Sequence, residues 1–273
     1  MKSVAVIGQG LWGNKIVKSI QNHFSDYEVE GLSSRKFLAR CPKKAYDVIW
    51  VASRPSDQLK IVDIAQSNSR RIILEKPICA TLNEYSQVEN MLLSENAKFE
   101  LSRPWCFSNT WITAKEKIKS WELHESSVNF KRSGPTVHPY ITSIEDWLPH
   151  DIYLASELFP GFENEFSINF CDKTTSNFVL SLNSQAGTIL NFSFIESESK
   201  ESSIEINSAS GKLYINLIQK YVEFEGRECE IVNPNTFDEI SRNFESAFHS
   251  DNKKTIQLLR TQKWIKALID QTV

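Results

Sequence analysis

Three side chains in this sequence have the types and placement for proton transfer. Lys76 lies in Glu75-Lys76-Pro77, directly after a run of β-branched and apolar residues that reads as a strand. Its ammonium can hydrogen-bond a substrate oxygen, and crowding by cationic or apolar groups would lower its pKa toward neutrality. Taken alone, a lysine at a strand end is more often simply solvated. Asp146 and His150 belong to Asp146-Trp147-Leu148-Pro149-His150-Asp151, which heads the apolar-periodic stretch IYLASELF. On a helix, two residues four apart share a face. A histidine titrates near neutral pH and passes a proton to or from a substrate oxygen, while a carboxylate fixes its tautomer or contacts the substrate. Two plainer alternatives stand beside this: Pro149 marks the helix start and leaves Asp146 in a loop, or His150 is structural and Asp151 only favours the positive helix end.

A second constellation is Gly8-Gln9-Gly10-Leu11-Trp12-Gly13, a complete GxGxxG placed between an apolar strand-like run and a helix-like one. The first glycine permits a tight turn and the second lets backbone amides approach a pyrophosphate. The third lets helix and strand pack closely, and the helix N-terminus offers N–H groups to phosphates. An acidic residue ending the next strand would take the ribose hydroxyls of NAD(H). That place reads Gly31-Leu32-Ser33-Ser34-Arg35, with no carboxylate, so Ser33, Ser34 and Arg35 suit a 2′-phosphate and NADP(H) is favoured over NAD(H). The alternative register slides Glu30 into place and leaves Arg35 solvated.

These groups need a frame, and the hydrophobic periodicity supplies one. Strands are predicted at Ser3–Ile7, Tyr27–Leu32, Asp47–Ala52 and Arg71–Leu74, with helices at Leu11–Ile20, Gln58–Gln66 and Leu82–Leu93. Such alternation implies parallel βαβ units. From about Ser126 the texture changes to alternating segments, SSVNFKR, FSINFCD, NFVLSLN, GTILNFSFI, SSIEINS, KLYINLI and YVEFEG. These predict a mostly antiparallel sheet with one apolar face, its hairpins at Ser184-Gln185-Ala186-Gly187 and Ser208-Ala209-Ser210-Gly211. Helices at Phe237–Phe248 and Ile256–Ile269 close the chain, the last predicted to pack back on the first domain. The expected fold class is α/β plus α+β: a Rossmann domain over residues 1–118 and a second domain over 119–273, built on a large, mostly antiparallel open-faced sheet with closing C-terminal helices.

Composition narrows the partners. Lys+Arg 31 against Asp+Glu 34 gives a net charge of -3, too weak a field to attract nucleic acid or an anionic membrane. The five cysteines, Cys41, Cys79, Cys106, Cys171 and Cys229, lack any CxxC pair and read as buried thiols in a reducing compartment. The apolar run near the N-terminus stops at Gly8, too short for a signal peptide or a membrane span, which points to the cytoplasm. His23, His124, His138 and His249 lack metal-ligand spacing, so no metal is implied. Trp105, Trp111 and Trp121 line either a cleft or a core. Arg103 meets a substrate anion or caps a strand, and Lys131 and Arg132 form a solvated strand end or reach a phosphate.

Taken together, the glycine loop, the Glu-Lys-Pro, the D-x-x-x-H before a large sheet and the late hairpin SIEINSASGKLYINL resemble the family of glucose-fructose oxidoreductase, inositol dehydrogenase and MocA proteins. The resemblance spans nearly the whole chain. It implies that Lys76, Asp146 and His150 take the catalytic positions, with His150 donating or accepting the proton and Lys76 assisting at the reacting oxygen. It further implies that Ser53, Arg54, Pro55 and Ser56 lie beside the cofactor with Glu75, and that the open sheet face supports a homo-oligomer. The substrate class it implies is a sugar, cyclitol or nucleotide-linked sugar, with hydride passing between the nicotinamide and a hydroxyl or carbonyl carbon. The chain departs from the family at Leu148, where a glycine is expected, at Gln58, where a histidine is common, and in the Ser143-Ile144-Glu145 approach to Asp146. Two rival functions remain on sequence grounds: reduction of a C=N bond, and a catalytically silent nucleotide-binding sensor.

Overall fold

The computed structural model describes residues 1–40, 44–79, 81–93, 98–135, 142–160, 162–174, 177–231, 238–249 and 252–271. Cys41, His138 and Phe237, named above, lie outside them. The chain forms two compact units, Met1–Pro104 with Phe237–Lys263, and Trp105–Thr236 with Trp264–Val273.

The first unit is a parallel sheet of five strands in the order β2-β1-β3-β4-β5. In chain order it runs β1 (Lys2–Ile7), α1 (Leu11–His23), β2 (Tyr27–Leu32), α2 (Ser34–Arg40), β3 (Val48–Val51), α3 (Pro55–Gln66), β4 (Ile72–Leu74), α4 (Leu82–Leu93) and β5 (Phe99–Leu101). Parallel strands flanked by helices bury both faces, and every residue of β3, β4 and β5 is buried accordingly. The register sets Ile7 opposite Leu32 and Val51, Val51 opposite Leu74, and Leu74 opposite Leu101. The strand ends therefore form one row, and the chain order reverses between β1 and β3, where open α/β sheets take their ligands.

α2 and β5 were not expected from the sequence. α2 buries Phe37 and little else, and β5 is a three-residue run with a glutamate in its middle, so neither carries a usable period. Glu100 is tolerated in β5 because the Arg103 guanidinium pairs with it at 3.2 Å. Arg103 is thus committed to the interior, neither a strand cap nor exposed to an anion.

The chain returns to this unit with α8 (Glu239–Ser246) and the first part of α9 (Asn252–Gln271). Phe244 of α8 stacks on Trp50 at 6.2 Å and joins the core of Val4, Val6, Ile16, Ile20, Val48 and Ile73. Along α9, Thr255 Oγ1 donates to Phe99 O at 3.1 Å, and Arg260 and Lys263 bind Glu89 at 2.6 and 3.0 Å. The predicted packing of the last helix against the first domain is present in these contacts.

The second unit holds α5 (Asn109–Ile118), β6 (Ser127–Gly134), α6 (Ser143–Leu158), α7 (Phe162–Glu165), β7 (Phe166–Lys173), β8 (Asn177–Ser184), β9 (Ile189–Glu196), β10 (Glu201–Ser208), β11 (Gly211–Asn216), β12 (Tyr221–Phe224) and β13 (Arg227–Cys229). Its sheet has the order β13-β12-β11-β10-β6-β9-β8-β7, antiparallel throughout except for the parallel pair β6 and β9. Alternation buries Val128, Phe130, Leu190, Phe192, Phe194, Ile204 and Ile206 on one face, where α5 contacts β11 and β12 and α6 contacts β9. The other face leaves Ile189 and Ile195 exposed. The expected α/β plus α+β fold is the observed one. The helix of Asp146 starts earlier than Pro149: a capping box places Glu145 N on Thr142 Oγ1 at 3.3 Å and Thr142 N on Glu145 Oε2 at 2.9 Å. Pro149 therefore lies inside α6.

Among the cysteines, Cys79 and Cys106 are buried, whereas Cys171 and Cys229 are only half-buried, on outer strands of the second sheet. Among the described residues no helix is long and apolar enough to cross a membrane.

A small polar knot fixes α8 on α1. Asp238 caps α8 by accepting from Ser241 N at 2.8 Å, and Ser19 Oγ of α1 donates to the same carboxylate at 2.7 Å. Burial alone raises this carboxyl, but the Ser241 and Ser19 donors and the neighbouring His23 hold it below its ordinary value. A depressed carboxyl contributes stability above its unfolded pKa and loses it as the pH falls through the folded one. Asp238→Ala is expected to cost about 1 kcal/mol at pH 7. That deficit, measured by urea melts, should shrink as the pH is lowered below about 4.

Candidate functional site

The row of strand ends in the first unit gathers most of the residues that the sequence singled out. Gly8 leaves β1 with φ at 125°, a conformation favoured by glycine. A Cβ on Gly8 would lie 2.1 Å from Ala52 O, and one on Gly13 would lie 1.8 Å from Gly8 O. These two glycines are fixed by close packing of the loop on β3 and of α1 on the loop. Gly10 differs: its φ is -74°, a Cβ there would meet nothing within 4 Å, and no side chain caps α1 behind it. The open side of the loop is thus at Gly10, where the first turn of α1 has neither a side-chain cap nor an acidic residue. Gln9 Nε2 ties the loop to Gly31 O at 3.0 Å, and Leu11 and Trp12 project beside it, 90% and 38% exposed.

At the end of β2, Ser33 accepts from Lys36 N at 3.2 Å, Ser34 opens α2, and Arg35 follows with its side chain exposed. Glu30 is within the strand, and Tyr46 donates to its carboxylate at 2.8 Å. Burial first, and then this bond, pushes the Tyr46 hydroxyl up to about 12. At the end of β3, Ser53 has its hydroxyl buried with no partner among the described residues, Arg54 is exposed, and Pro55 starts α3. A buried hydroxyl without a partner, next to a loop with an open glycine, fits an added polar group.

After β4, the carboxyl of Glu75 is buried and accepts from Trp50 Nε1 at 3.0 Å. Burial pushes it up, while the Ser102 and Trp12 side chains, Trp50 and the charge of Lys76 favour its ionised form. Lys76 is half-buried. Its backbone is held from both sides by Gln58, whose Nε2 donates at 3.0 Å to both Glu75 O and Pro77 O. Gln58 is 1% exposed, so this amide is a dedicated clamp on the Lys76 segment. From the sequence it stood out only as a departure at a position where a histidine is common.

In the second unit, Asp146 and His150 lie four residues apart on α6, Asp146 half-buried and His150 buried. The structure thus keeps them on one helix and resolves the alternative raised by Pro149. Beside His150 stand residues the sequence did not assign to it. Trp105, on a 3-10 turn at Pro104–Phe107, and Trp147 lie 5.9 and 6.4 Å from its ring. Arg132 is neither a solvated strand end nor free to reach a phosphate: it is 3% exposed and bonds Asp151 through Nε at 2.9 and 3.2 Å. The signal was available, since Arg132 follows Val128 and Phe130 on the buried parity of β6. Lys131, one residue earlier, points the other way and meets Glu205 at 3.6 Å. Trp111 is core, at 0% exposure, and Trp121 packs on Phe224 at 5.8 Å. Among the described residues no cluster of His, Cys, Asp and Glu has the arrangement to hold a metal.

No family model and no curated protein sequence matches the chain. Solved structures do. It superposes on a dehydrogenase from Clostridium difficile with a TM-score of 0.74 at 14% identity, covering 99% of each chain. It matches UDP-N-acetylglucosamine 3-dehydrogenase from Acidithiobacillus ferrooxidans with a TM-score of 0.73 at 14% identity over 95% of each chain. A third match is scyllo-inositol dehydrogenase from Lactobacillus casei, solved with NAD(H) and scyllo-inositol bound, at TM-score 0.69 and 14% identity over 96% of this chain and 94% of that one. At such identities these likenesses establish a shared two-domain fold.

The clamp on Lys76 has a measurable consequence. Gln58→Leu leaves two buried carbonyls without their donor and should destabilise the protein by about 2 kcal/mol or more. Urea unfolding would read this as a lower midpoint at an unchanged slope, and an unaltered midpoint would contradict the clamp.

Proposed function

We propose that this chain is an NADP-dependent oxidoreductase that moves a hydride between a nicotinamide and a hydroxyl or carbonyl carbon of a sugar, cyclitol or nucleotide-linked sugar. The observation that carries the proposal is the division of labour among the three loop glycines. Gly8 and Gly13 are demanded by packing, whereas Gly10 is demanded by nothing inside the protein and faces open space. A small residue without an internal cause, at the N-terminus of an uncapped helix and at the strand-order switch, is what a pyrophosphate requires. Gly8, Gln9, Gly10, Leu11, Trp12 and Gly13 would hold the pyrophosphate side, and Ser53, Arg54, Pro55, Glu75 and Lys76 the nicotinamide side.

Ser33, Ser34 and Arg35 would take a 2′-phosphate. The Tyr46 bond to Glu30 supports this register, because it commits the nearest acidic side chain within the strand rather than at its end. The bound nicotinamide supplies or accepts the hydride. In the first unit, the Lys76 ammonium donates a hydrogen bond to the substrate oxygen. In the second, the His150 imidazole gives or takes a proton, and Asp146 on the same helix face orients the ring or the substrate. The dehydrogenases of similar fold, one of them solved with NAD(H) and scyllo-inositol, support the reaction class and a sugar-like substrate. The exposed apolar residues Ile189 and Ile195 on the open sheet face support a homo-oligomer.

Titration with NADPH and with NADH, followed by nicotinamide fluorescence, tests the cofactor. Arg35→Ala should weaken NADPH about 10- to 100-fold and leave NADH unchanged. Equal loss for both nucleotides would remove the phosphate role, and binding of neither would remove the proposal. With a substrate found by screening sugar-like carbonyls, Lys76→Met and His150→Gln should each lower kcat about 100- to 10,000-fold.

A further inference from the structure

We infer that Trp105, Arg132, Trp147 and Asp151 are positioning residues for His150, forming an aromatic and ionic bracket that sets the orientation of its imidazole. The inference rests on His150 being the proton-transfer group proposed above. Trp147, His150 and Asp151 occupy one face of α6 at spacings of three and four residues, β6 brings Arg132 on its buried side, and the 3-10 turn brings Trp105. All five belong to the second unit.

The contacts close on themselves. The His150 ring meets Trp105 at 5.9 Å and 60° and Trp147 at 6.4 Å and 59°. The same two indoles take the Arg132 guanidinium over their faces, at 5.1 Å for Trp105 and 5.5 Å for Trp147. Arg132 is in turn fixed by Asp151, at 2.9 and 3.2 Å from Nε, and by a bond to the Ser202 hydroxyl. One cation therefore locks two indoles, and the two indoles contact one imidazole. Asp151 cancels the charge of Arg132, so the bracket adds no net cation beside a group that must carry a proton. Stability alone does not call for this arrangement, because apolar residues of similar volume stabilise a core as well as a buried ion pair does. Both tryptophans are half-buried while His150 and Arg132 are 6% and 3% exposed, so the bracket also shields the imidazole from bulk water. Proton transfer depends on a ring held within a narrow angle, and a fixed ring costs nothing to orient at the moment of reaction.

The test uses the full chain with isotope-labelled histidine, the His150 ring signals being assigned with His150→Gln. Trp147→Leu should shift those signals, leaving the ring-current displacement due to Trp105, with the signals of His23, His124 and His249 unmoved. It should also lower kcat about 10- to 100-fold at unchanged KM and unchanged NADPH affinity. Trp147→Phe, which restores an aromatic face, should recover both. Asp151→Asn, which frees Arg132, should move the His150 signals in the same way. Unmoved His150 signals in Trp147→Leu would overturn the inference, as would a change spread equally over all the histidines. Should the wild-type protein turn over no substrate, the proposed reaction fails, while the ring signals still decide whether the bracket orients the imidazole.

Discussion

The tight crossing of the glycine loop over the end of β3, which leaves no room for a Cβ at Gly8 or Gly13, governs everything placed around it. Gly8 lies against Ala52, and Gly13 lies against Gly8, so α1 starts too near to the sheet for any side chain at either position. The loop is consequently stiff on its inner side and open only at Gly10. The parallel register then repeats the offset across the sheet: Gly8 N bonds Leu32 O, Ala52 N bonds Ile7 O, Glu75 N bonds Val51 O and Ser102 N bonds Leu74 O, at 2.7 to 2.9 Å. Each strand releases its next residues at the same level. Ser33 to Arg35, Ser53 to Pro55 and Glu75 to Lys76 are assembled along one edge by this ladder, although they are far apart in sequence.

Three buried carboxyls in the two interiors each have a side-chain donor. Glu75 receives the Trp50 indole, Glu100 receives Arg103, and Asp151 receives Arg132. An unpaired ion at such burial would cost several kcal/mol, and each of these carboxylates has a named donor instead. Two of the three stand next to a residue with a proposed chemical role, Glu75 beside Lys76 and Asp151 beside His150. Two of these buried carboxyls thus stand where an adjacent group must be held.

The sequence made the long periodic elements legible, because a strand such as Tyr27–Leu32 or a helix such as Leu82–Leu93 carries enough turns or alternations to declare its period. It also located the glycine loop and Glu75-Lys76-Pro77, whose chemistry is local. What it concealed depends on contacts made at a distance. β5 is three residues long and survives through Arg103, and α2 is a seven-residue helix anchored by one phenylalanine. Pro149 reads as a boundary in sequence, yet the capping box at Thr142 starts α6 earlier and carries the helix through it. Gln58 and Arg132 look ordinary in isolation. Their roles appear only when a fold brings two carbonyls to one amide and two indoles to one guanidinium.

The central claim, that the first unit is shaped to receive a dinucleotide pyrophosphate at Gly10, is tested most directly by Gly10→Val. The backbone there is in a region open to any residue, and the added side chain would start in open space. Because Gly10 is the N-cap of α1, where valine is a poorer cap than glycine, unfolding should show a loss of about 1 kcal/mol and an otherwise folded protein. NADPH binding, followed by nicotinamide fluorescence, should be lost. A variant that folds as the parent does and still binds NADPH with undiminished affinity would contradict the account.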